Sequence, residues 1–339
     1  MLGEDWKITK VLSGIAKRLW AGAGAAILIT FVFYCFYGAL IAFSLFGFAV
    51  LAILYNAQDH LLYHPELPSN SRIYVPIPTM HNLPHETISI KTTDKITLHA
   101  FWIRQPEERS KFVPTVIYFH GNAGNMGHRL QNVWGIYYNL HCNILMVEYR
   151  GYGLSTGSPT EKGLCNDARA AVDYLYTRDD LDNSQIILFG RSLGGAVVID
   201  VVSDYAYHNR IKAMIVENTF TNIPEMALRL LHPYVKYIPT LFYKNQYNSL
   251  KKIKSVTMPC LFISGLADTL VPPRMMRQLY NDCESKKKRL IELSGGSHND
   301  TWICAGYYQA IANFLDMCRN EPCQKAPEKV DVWKNVQEV

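Results

Sequence analysis

The chain has 339 residues, of which 49% are hydrophobic, and it carries a formal net charge of +5. A chain of this length can bury a full hydrophobic core, with room for one domain of roughly 250 residues after an apolar N-terminal segment. The positive charge is mild and dispersed, without the basic run that is typical of nucleic-acid-binding proteins, so that class is excluded.

The first feature in chain order is a segment over 19–58 that contains no charged side chain. A helix of about 20 apolar residues is long enough to span a bilayer, whereas a cleaved signal peptide has a shorter apolar region. A core helix of a soluble protein with this length would be unusual. The segment therefore predicts a membrane anchor, with the bilayer as its partner and one span over residues 25–51.

Flanking charges predict the orientation of this anchor. Lys7, Lys10 and further basic residues precede the apolar segment, and Asp59 and Glu66 follow it. The positive-inside rule therefore places the N-terminus in the cytosol, and a single span, as in a type II signal anchor, sends the rest of the chain to the lumen or the exterior. The alternative is a hairpin of two short spans with its turn near Gly38, which would return the rest of the chain to the cytosol.

Strands and helices alternate after a linker over 59–71. Leading strands are predicted over 72–75, 86–91 and 96–104, where intervening prolines favour an antiparallel sheet edge. The later apolar runs alternate with helical stretches, which predicts a mostly parallel sheet covered by helices on both faces.

A glycine-rich loop, HGNAGN over 120–125, follows the predicted strand over 115–119. Glycines allow a backbone to approach a reacting group closely, and two convergent N–H groups can stabilise the negative charge that forms when a carbonyl is attacked. The N–H of Asn122 is the candidate donor in this loop, and His120 is interpreted as a side chain that braces it.

The stretch GRSLG over 190–194 lies between an apolar, β-branched run over 185–189 and a stretch of small and aliphatic residues. Strand, G-x-S-x-G and helix in this order are typical of a nucleophile elbow, whose central residue is held at strained backbone angles. The glycines at either end of the motif permit such a turn, because they lack a β-carbon. Ser192 is therefore the candidate nucleophile, and the N–H of Leu193 is the candidate second donor to the oxyanion.

Two further candidates follow later strands. Asp268 lies in a loop after the predicted buried strand over 260–265, and His298 lies in a glycine-rich loop after a short strand over 289–293. An aspartate so placed can orient a histidine, and a histidine in a loop can act as a general base. The order Ser192, Asp268, His298 is that of the α/β-hydrolase catalytic triad.

Residues 73–318 resemble the α/β-hydrolase superfamily, and within it the membrane-anchored serine hydrolases. The motifs that carry this resemblance are specific in combination: HGNAGN (120–125), EYRGYGLSTG (148–157), FGRSLGGA (189–196), VENTF (216–220), FISGLADTLVPP (262–273) and GGSHNDTW (295–302). The resemblance implies the α/β-hydrolase fold with a short lid and the same three catalytic residues. Glu217 is a second candidate for the acid, but the arrangement G-x-x-D-x-x-V-P around Asp268 is the commoner one in the family, so Asp268 is favoured.

The lid of this fold corresponds to an insertion over 221–258. The insertion is short, so we expect a shallow, open cleft with an apolar rim, and a helix that simply covers the core explains the pattern equally well. Its apolar residues include Met226, Leu228, Leu230, Leu231, Tyr234 and Tyr237.

These observations predict a membrane-anchored serine hydrolase that cleaves an ester or thioester of a lipid or lipidated molecule through an acyl-enzyme. This chemistry requires no metal and no organic cofactor, and the eight cysteines lack metal-binding spacing. A peptidase of the same fold and a non-catalytic, membrane-anchored scaffold are the alternatives.

Asn299 begins a glycosylation sequon directly after His298. A glycan there would crowd the entrance to the site, so we expect Asn299 to be unmodified even in a lumenal domain.

The predicted organisation is an N-terminus over 1–18, an anchor over 19–58, a linker over 59–71, a catalytic domain over 72–318 and a polar, disordered tail over 319–339.

Overall fold

Eight strands form one sheet at the centre of the structure, a computed structural model that describes residues 2–231, 233 and 235–319. The strands are β1 (His85–Lys91), β2 (Thr97–Ile103), β3 (Thr115–Phe119), β4 (Asn143–Val147), β5 (Ile186–Arg191), β6 (Ala213–Glu217), β7 (Cys260–Gly265) and β8 (Lys288–Leu293). Their order across the sheet is β1-β2-β4-β3-β5-β6-β7-β8. The β1–β2 and β2–β4 pairs are antiparallel and all others are parallel, which confirms the predicted sheet.

The described residues also form eleven α-helices, with short 3₁₀ turns between several of them. The helices are α1 (Leu2–Tyr37), α2 (Ala39–Leu62), α3 (Glu107–Ser110), α4 (Leu130–Leu140), α5 (Glu161–Tyr176), α6 (Leu193–Ser203), α7 (Tyr205–His208), α8 (Ile223–Leu231), α9 (Ser249–Lys252), α10 (Pro273–Asp282) and α11 (Tyr307–Arg319). The tail predicted to be disordered lies outside the described residues, apart from Arg319 at the end of α11.

The central strands are buried on both faces, because helices cover the sheet on both sides. Every residue of β3 to β7 is buried. Side chains of α5, α6 and α10 pack on one face of the sheet, and those of α4 and α11 pack on the other. Strands that are buried on both faces of a sheet carry unbroken apolar runs. The strands predicted from such runs over 115–119 and 260–265 occur with the same bounds.

One of the predicted leading strands does not form. Residues 72–75 adopt a turn and an irregular extended stretch, and Pro76 follows directly. Proline has no N–H group to donate to a sheet ladder, which opposes pairing at this point. The segment is instead bound by the side-chain amide of Asn125, which donates to the Tyr74 carbonyl at 2.9 Å.

The apolar N-terminal segment folds into a helical hairpin. Gly38 separates α1 from α2 with a φ of +84°, a value that favours glycine. Gly22 of α1 lies against Ile53 of α2, since a β-carbon on Gly22 would be 3.2 Å from the Ile53 Cδ1 atom. Residues 22 and 53 are almost equally far from Gly38 along the chain, so the helices run antiparallel. The helix predicted over 25–51 is therefore interrupted at Gly38, so these bounds are wrong, while the number of spans stays a prediction.

The helix α2 is long and apolar enough to cross a membrane, and few of its side chains are buried. The apolar part of α1, Gly22–Tyr37, is shorter. Exposed apolar helices of this kind are stable in a bilayer and poorly stable in water, so the hairpin supports association with a membrane.

The end of α2 is bonded to the rest of the structure. The Gln58 side chain donates to the Phe242 carbonyl at 2.7 Å and accepts from the Lys244 N–H at 2.9 Å. The carboxylate of Asp59 binds Lys244 Nζ at 2.6 Å and Asn245 Nδ2 at 2.7 Å. The hairpin is therefore held at a defined place next to the insertion.

The insertion contains α8 and, after it, a 3₁₀ turn at Thr240–Phe242, and we call residues 223–243 the cap. Met226 of α8 is buried, whereas Leu230 and Leu231 are exposed. One face of α8 therefore covers the core, and another face leaves apolar side chains exposed. The helix thus has features of both interpretations of the insertion, a cover of the core and a lid with an apolar rim. Tyr234, also assigned to this rim, lies outside the described residues.

Candidate active site

Ser192 lies at the turn between β5 and α6, with φ +54° and ψ −118°. A non-glycine residue at positive φ is strained by about 1–3 kcal/mol and persists only where its surroundings fix it. The Ser192 N–H donates to the Glu217 carbonyl at 2.9 Å, and the Thr219 hydroxyl donates to the Ser192 carbonyl at 2.7 Å. The end of β6 and the loop after it therefore hold the turn in its strained conformation.

Two glycines allow this turn to pack tightly. A β-carbon on Gly190 would lie 2.3 Å from the Gly194 carbonyl oxygen, and one on Gly194 would lie 2.1 Å from the Phe119 carbonyl oxygen at the end of β3. Both distances are shorter than any side chain tolerates against a backbone atom. The glycines of the G-x-S-x-G motif are therefore required by close packing between β5, α6 and β3.

The structure brings Ser192, Asp268 and His298 together from the ends of β5, β7 and β8. His298 Nε2 lies 3.0 Å from Ser192 Oγ, and His298 Nδ1 lies 2.7 Å from Asp268 Oδ2. Ser192 and Asp268 are buried, and the histidine side chain is 13% exposed. In this geometry a carboxylate can orient the imidazole ring, and the ring can accept the proton of the hydroxyl group.

The loop after β7 fixes the Asp268 carboxylate. Its Oδ1 atom accepts hydrogen bonds from the N–H groups of Leu270 and Val271, both at 2.9 Å. The other oxygen, Oδ2, is left to bind His298. The carboxylate is therefore held in one orientation by its own loop.

Asn218, to which the sequence motifs assign no role, connects the strand of the acid to the loop of the histidine. Its Oδ1 atom accepts from the Gly265 N–H at 2.8 Å, and its Nδ2 atom donates to the Thr301 hydroxyl at 2.9 Å. Asn218 has a φ of +46°, which asparagine tolerates better than most residues. Its partners are 47 and 83 residues away along the chain, so no local pattern indicates them.

Glu217, the second candidate for the acid, is buried and bound elsewhere. Its Oε2 atom accepts from the Tyr307 hydroxyl at 2.5 Å, and its Oε1 atom lies 3.7 Å from Arg191 Nε. Burial raises the pKa of Glu217 above its ordinary value, against the opposing effect of the Arg191 charge. The geometry therefore favours Asp268, whose carboxylate contacts the His298 ring, as the partner of the histidine.

Arg191 links the turn that carries Ser192 to the loop that carries His298. Its Nη2 atom donates to the side-chain oxygen of Asn299, the residue after the histidine. Arg191 is buried, whereas Asn299 is exposed, so the contact lies at the boundary between the core and the surface. The side chain of the sequon asparagine is thereby bound to a residue of the protein.

The loop over 120–125 lies against the same turn, since a β-carbon on Gly121 would be 3.5 Å from Ser192 Cβ. Within the described parts of the chain, the N–H groups of Asn122 and Leu193 have no hydrogen-bond acceptor. Leu193 is the first residue of α6, where N–H groups have no partner in the helix. Both predicted donors are therefore available to an oxyanion.

Buried polar side chains hold this loop from beneath. His120 Nε2 lies 2.9 Å from Glu148 Oε1, and the Tyr149 hydroxyl donates to the His120 carbonyl at 3.0 Å. His120 and Glu148 are fully buried. These contacts fit the interpretation of His120 as a bracing side chain.

The segment that leaves α2 also holds the loop. The Asn122 side-chain amide donates to the Leu62 carbonyl at 3.0 Å, and the Asn122 carbonyl accepts from the His64 N–H at 2.9 Å and the Tyr152 hydroxyl at 2.9 Å. Asn122 and Leu62 are 60 residues apart, so the sequence motifs did not indicate this contact. The end of the hairpin is therefore part of the wall behind the candidate oxyanion site.

The strand order, the strained serine between β5 and α6, and the histidine and aspartate beside it are the features of an α/β-hydrolase, and the chain belongs to that family. Residues 114–245 match the family model described as the alpha/beta hydrolase fold. Protein bem46 of Schizosaccharomyces pombe is 40% identical to the chain over 269 residues, which cover 78% of this chain and 88% of that protein.

The chain is also similar to a membrane protein and to a solved structure. An uncharacterized membrane protein of Saccharomyces cerevisiae, YNL320W, is 35% identical over 282 residues, or 83% of this chain and 95% of that protein. The structure of the esterase Pf2001 of Pyrococcus furiosus matches with a TM-score of 0.58 at 20% identity, over 72% of this chain and 99% of that one. At this identity the structural match shows the fold alone.

Replacement of Gly194 by alanine is expected to destabilise the protein. The new methyl group would overlap the Phe119 carbonyl, and overpacking of this kind costs about 1–3 kcal/mol of unfolding free energy. The control is Gly24→Ala, because no atom lies within 4 Å of a β-carbon at Gly24. Thermal unfolding of the full chain in detergent measures both variants, and equal melting temperatures would contradict the packing described here.

Proposed function

We propose that the protein is a serine hydrolase in which Ser192 is the nucleophile, His298 the general base and Asp268 the residue that orients the histidine. The observation that carries this proposal is the chain of two hydrogen bonds, 3.0 Å from His298 to Ser192 and 2.7 Å from His298 to Asp268. A serine hydroxyl is a weak nucleophile at neutral pH, and a base within this distance activates it.

The proposed reaction has two halves. His298 accepts the Ser192 proton while Oγ forms a bond to the acyl carbon, and the carbonyl oxygen takes up the negative charge between the N–H groups of Asn122 and Leu193. His298 then gives the proton to the departing alcohol or thiol, which leaves an acyl-enzyme. A water molecule, deprotonated by the same histidine, attacks the acyl carbon, and Ser192 is regenerated with release of the carboxylic acid.

We further propose that the substrate is an ester or thioester of a lipid or of a lipidated molecule. The apolar hairpin supports this proposal, because its end contacts the loop of Asn122 and so keeps the site close to a membrane. The Pyrococcus furiosus protein with a similar fold is named an esterase, and that name agrees with acyl-ester chemistry.

We propose that the catalytic domain faces the cytosol. The hairpin at Gly38 supports this orientation, since it returns the chain to the side of its N-terminus, and the basic residues of the N-terminus favour the cytosolic side. In this orientation the sequon at Asn299 never meets the glycosylation machinery, and its side chain binds Arg191 in any case.

Hydrolysis of a chain-length series is the test of the reaction and of its substrate class. We expect the full-length protein in lipid vesicles to cleave long-chain p-nitrophenyl esters and acyl thioesters faster than acetyl esters. Ser192→Ala should lower kcat on the order of a thousandfold or more, because the nucleophile is lost. Equal rates for short and long chains would contradict the lipid assignment, and an active Ser192→Ala variant would contradict the mechanism.

The assignment of the acid is tested by two amide variants. Asp268→Asn should lower kcat on the order of a thousandfold or more, since the histidine loses the carboxylate that fixes its tautomer. Glu217→Gln should keep activity within about tenfold, because the amide oxygen can still accept from Tyr307 and burial disfavours the charged carboxylate. The opposite pattern of rates would assign the acid to Glu217.

The orientation is tested with epitope tags at both ends of the full chain in sealed microsomes. Protease added from the cytosolic side should remove both tags, and neither glycosidase treatment nor Asn299→Gln should change the mass of the protein. Protection of the C-terminal tag alone would indicate a single span, in contradiction to the hairpin.

A further inference from the structure

The cap carries an exposed apolar surface that the core does not use. Among the described residues of the cap, seven large apolar side chains are exposed, with Tyr237 at 85% and Leu241 at 81% of their full accessible area. We call these seven side chains the cap surface: Leu228, Leu230, Leu231, Tyr237, Ile238, Leu241 and Phe242. So many exposed large apolar side chains within one short segment are unusual on a surface that faces water and indicate a binding surface.

The cap surface continues the apolar surface of the hairpin. The Phe242 main chain is hydrogen-bonded to the side chain of Gln58, at the end of the apolar run of α2. Lys244, two residues further, binds both Gln58 and Asp59. The cap is therefore attached near the C-terminal end of α2, the helix that is long and apolar enough to cross a membrane.

Aromatic and basic side chains lie together in the cap and beside the C-terminal part of α2. Lys236 Nζ lies 5.4 Å from the centre of the Tyr237 ring, and Lys244 Nζ lies 5.9 Å from that of Tyr55 in α2. Tyrosine rings and lysine ammonium groups are enriched where a membrane meets water, since one end of each side chain is apolar and the other is wet. This composition fits lipid headgroups better than a protein partner.

The cap also lies beside the candidate active site. Arg229 of α8 donates to the Thr269 carbonyl at 2.8 Å, and Thr269 follows Asp268 directly. The loop of Asn122, on the other side of Ser192, contacts the end of the hairpin. The serine is therefore flanked by two elements that are both attached to the membrane-proximal end of the protein.

We propose that the cap surface inserts into the headgroup region of the leaflet from which the hairpin emerges, so that the cleft opens toward the bilayer. A hydrolase placed in this way takes its acyl substrate from the membrane rather than from water. The statement about substrate entry rests on the proposed function, whereas the statement about lipid contact is independent of it.

Photocrosslinking of the full chain in vesicles tests the lipid contact without any need for activity. Benzoylphenylalanine is placed at position 237 or 241, and the vesicles contain a phospholipid with a clickable acyl chain. Positions 205 and 112 are the matched controls, because Tyr205 and Phe112 are 89% and 79% exposed. Tyr205 follows the end of α6 and Phe112 precedes the start of β3, so both lie at the amino ends of the parallel strands, whereas Ser192 lies at their carboxyl ends.

We expect lipid adducts at positions 237 and 241 in at least about fivefold higher yield than at the two controls, since only an inserted surface meets acyl chains. Equal yields at all four positions, or a crosslinked dimer of the protein in place of lipid adducts, would overturn the proposal.

Charge substitution tests the consequence for substrate entry. The double variant Tyr237→Glu with Leu241→Glu should lower hydrolysis of a long-chain ester embedded in vesicles by roughly tenfold, because two carboxylates oppose insertion. Labelling of Ser192 by a small, water-soluble fluorophosphonate should stay within about twofold, and Phe112→Glu should change neither quantity. Absence of labelling in the wild type would refute the proposed function alone, whereas absence of lipid adducts would refute the insertion alone.

Discussion

The close contact between the turn of Ser192 and the end of β3 is the constraint on which the rest of the site depends. Gly194 approaches the Phe119 carbonyl so closely that no β-carbon fits between them. This contact brings the strained serine next to the loop of Asn122, which directly follows β3. The proposed nucleophile and the two proposed backbone donors are thereby placed side by side before any substrate is present, and a preorganised site of this kind can stabilise charge without reorganisation during a reaction.

The loop of Asn122 is held from two directions, and one of the two elements that hold it is the apolar hairpin. Glu148 and Tyr149 hold it from the core through His120, while Leu62 and His64, at the exit of α2, bind Asn122 directly. The hairpin, which is apolar and exposed, is therefore also a structural part of the candidate site. Detachment of α2 from the domain would remove contacts from the loop that carries a candidate oxyanion donor.

Much of the fold could be predicted from the sequence, because the buried strands are short apolar runs that end in glycine-rich loops. The strand over 115–119 has such a run, and Ser192 and Asp268 each lie just beyond one. His298 follows β8, a strand of mixed composition that the glycine-rich loop after it helps to delimit. The turn at Gly38 could not be decided in this way, since apolar composition fits one long helix or two, and only the packing of Gly22 on Ile53 distinguishes them. The roles of Asn218 and Arg191 depend on partners far away in the chain, so they leave no local pattern.

The proposed hydrolase chemistry requires that Ser192 be an activated nucleophile, and mass spectrometry after fluorophosphonate treatment tests that requirement most directly. Membranes that contain the full-length protein are treated with the probe, the protein is digested, and every modified peptide is identified. We expect one phosphonylated residue, Ser192, and no modification when His298 is replaced by alanine or when the protein is unfolded first. A folded wild-type protein without modification, or one modified elsewhere, would contradict the proposed chemistry.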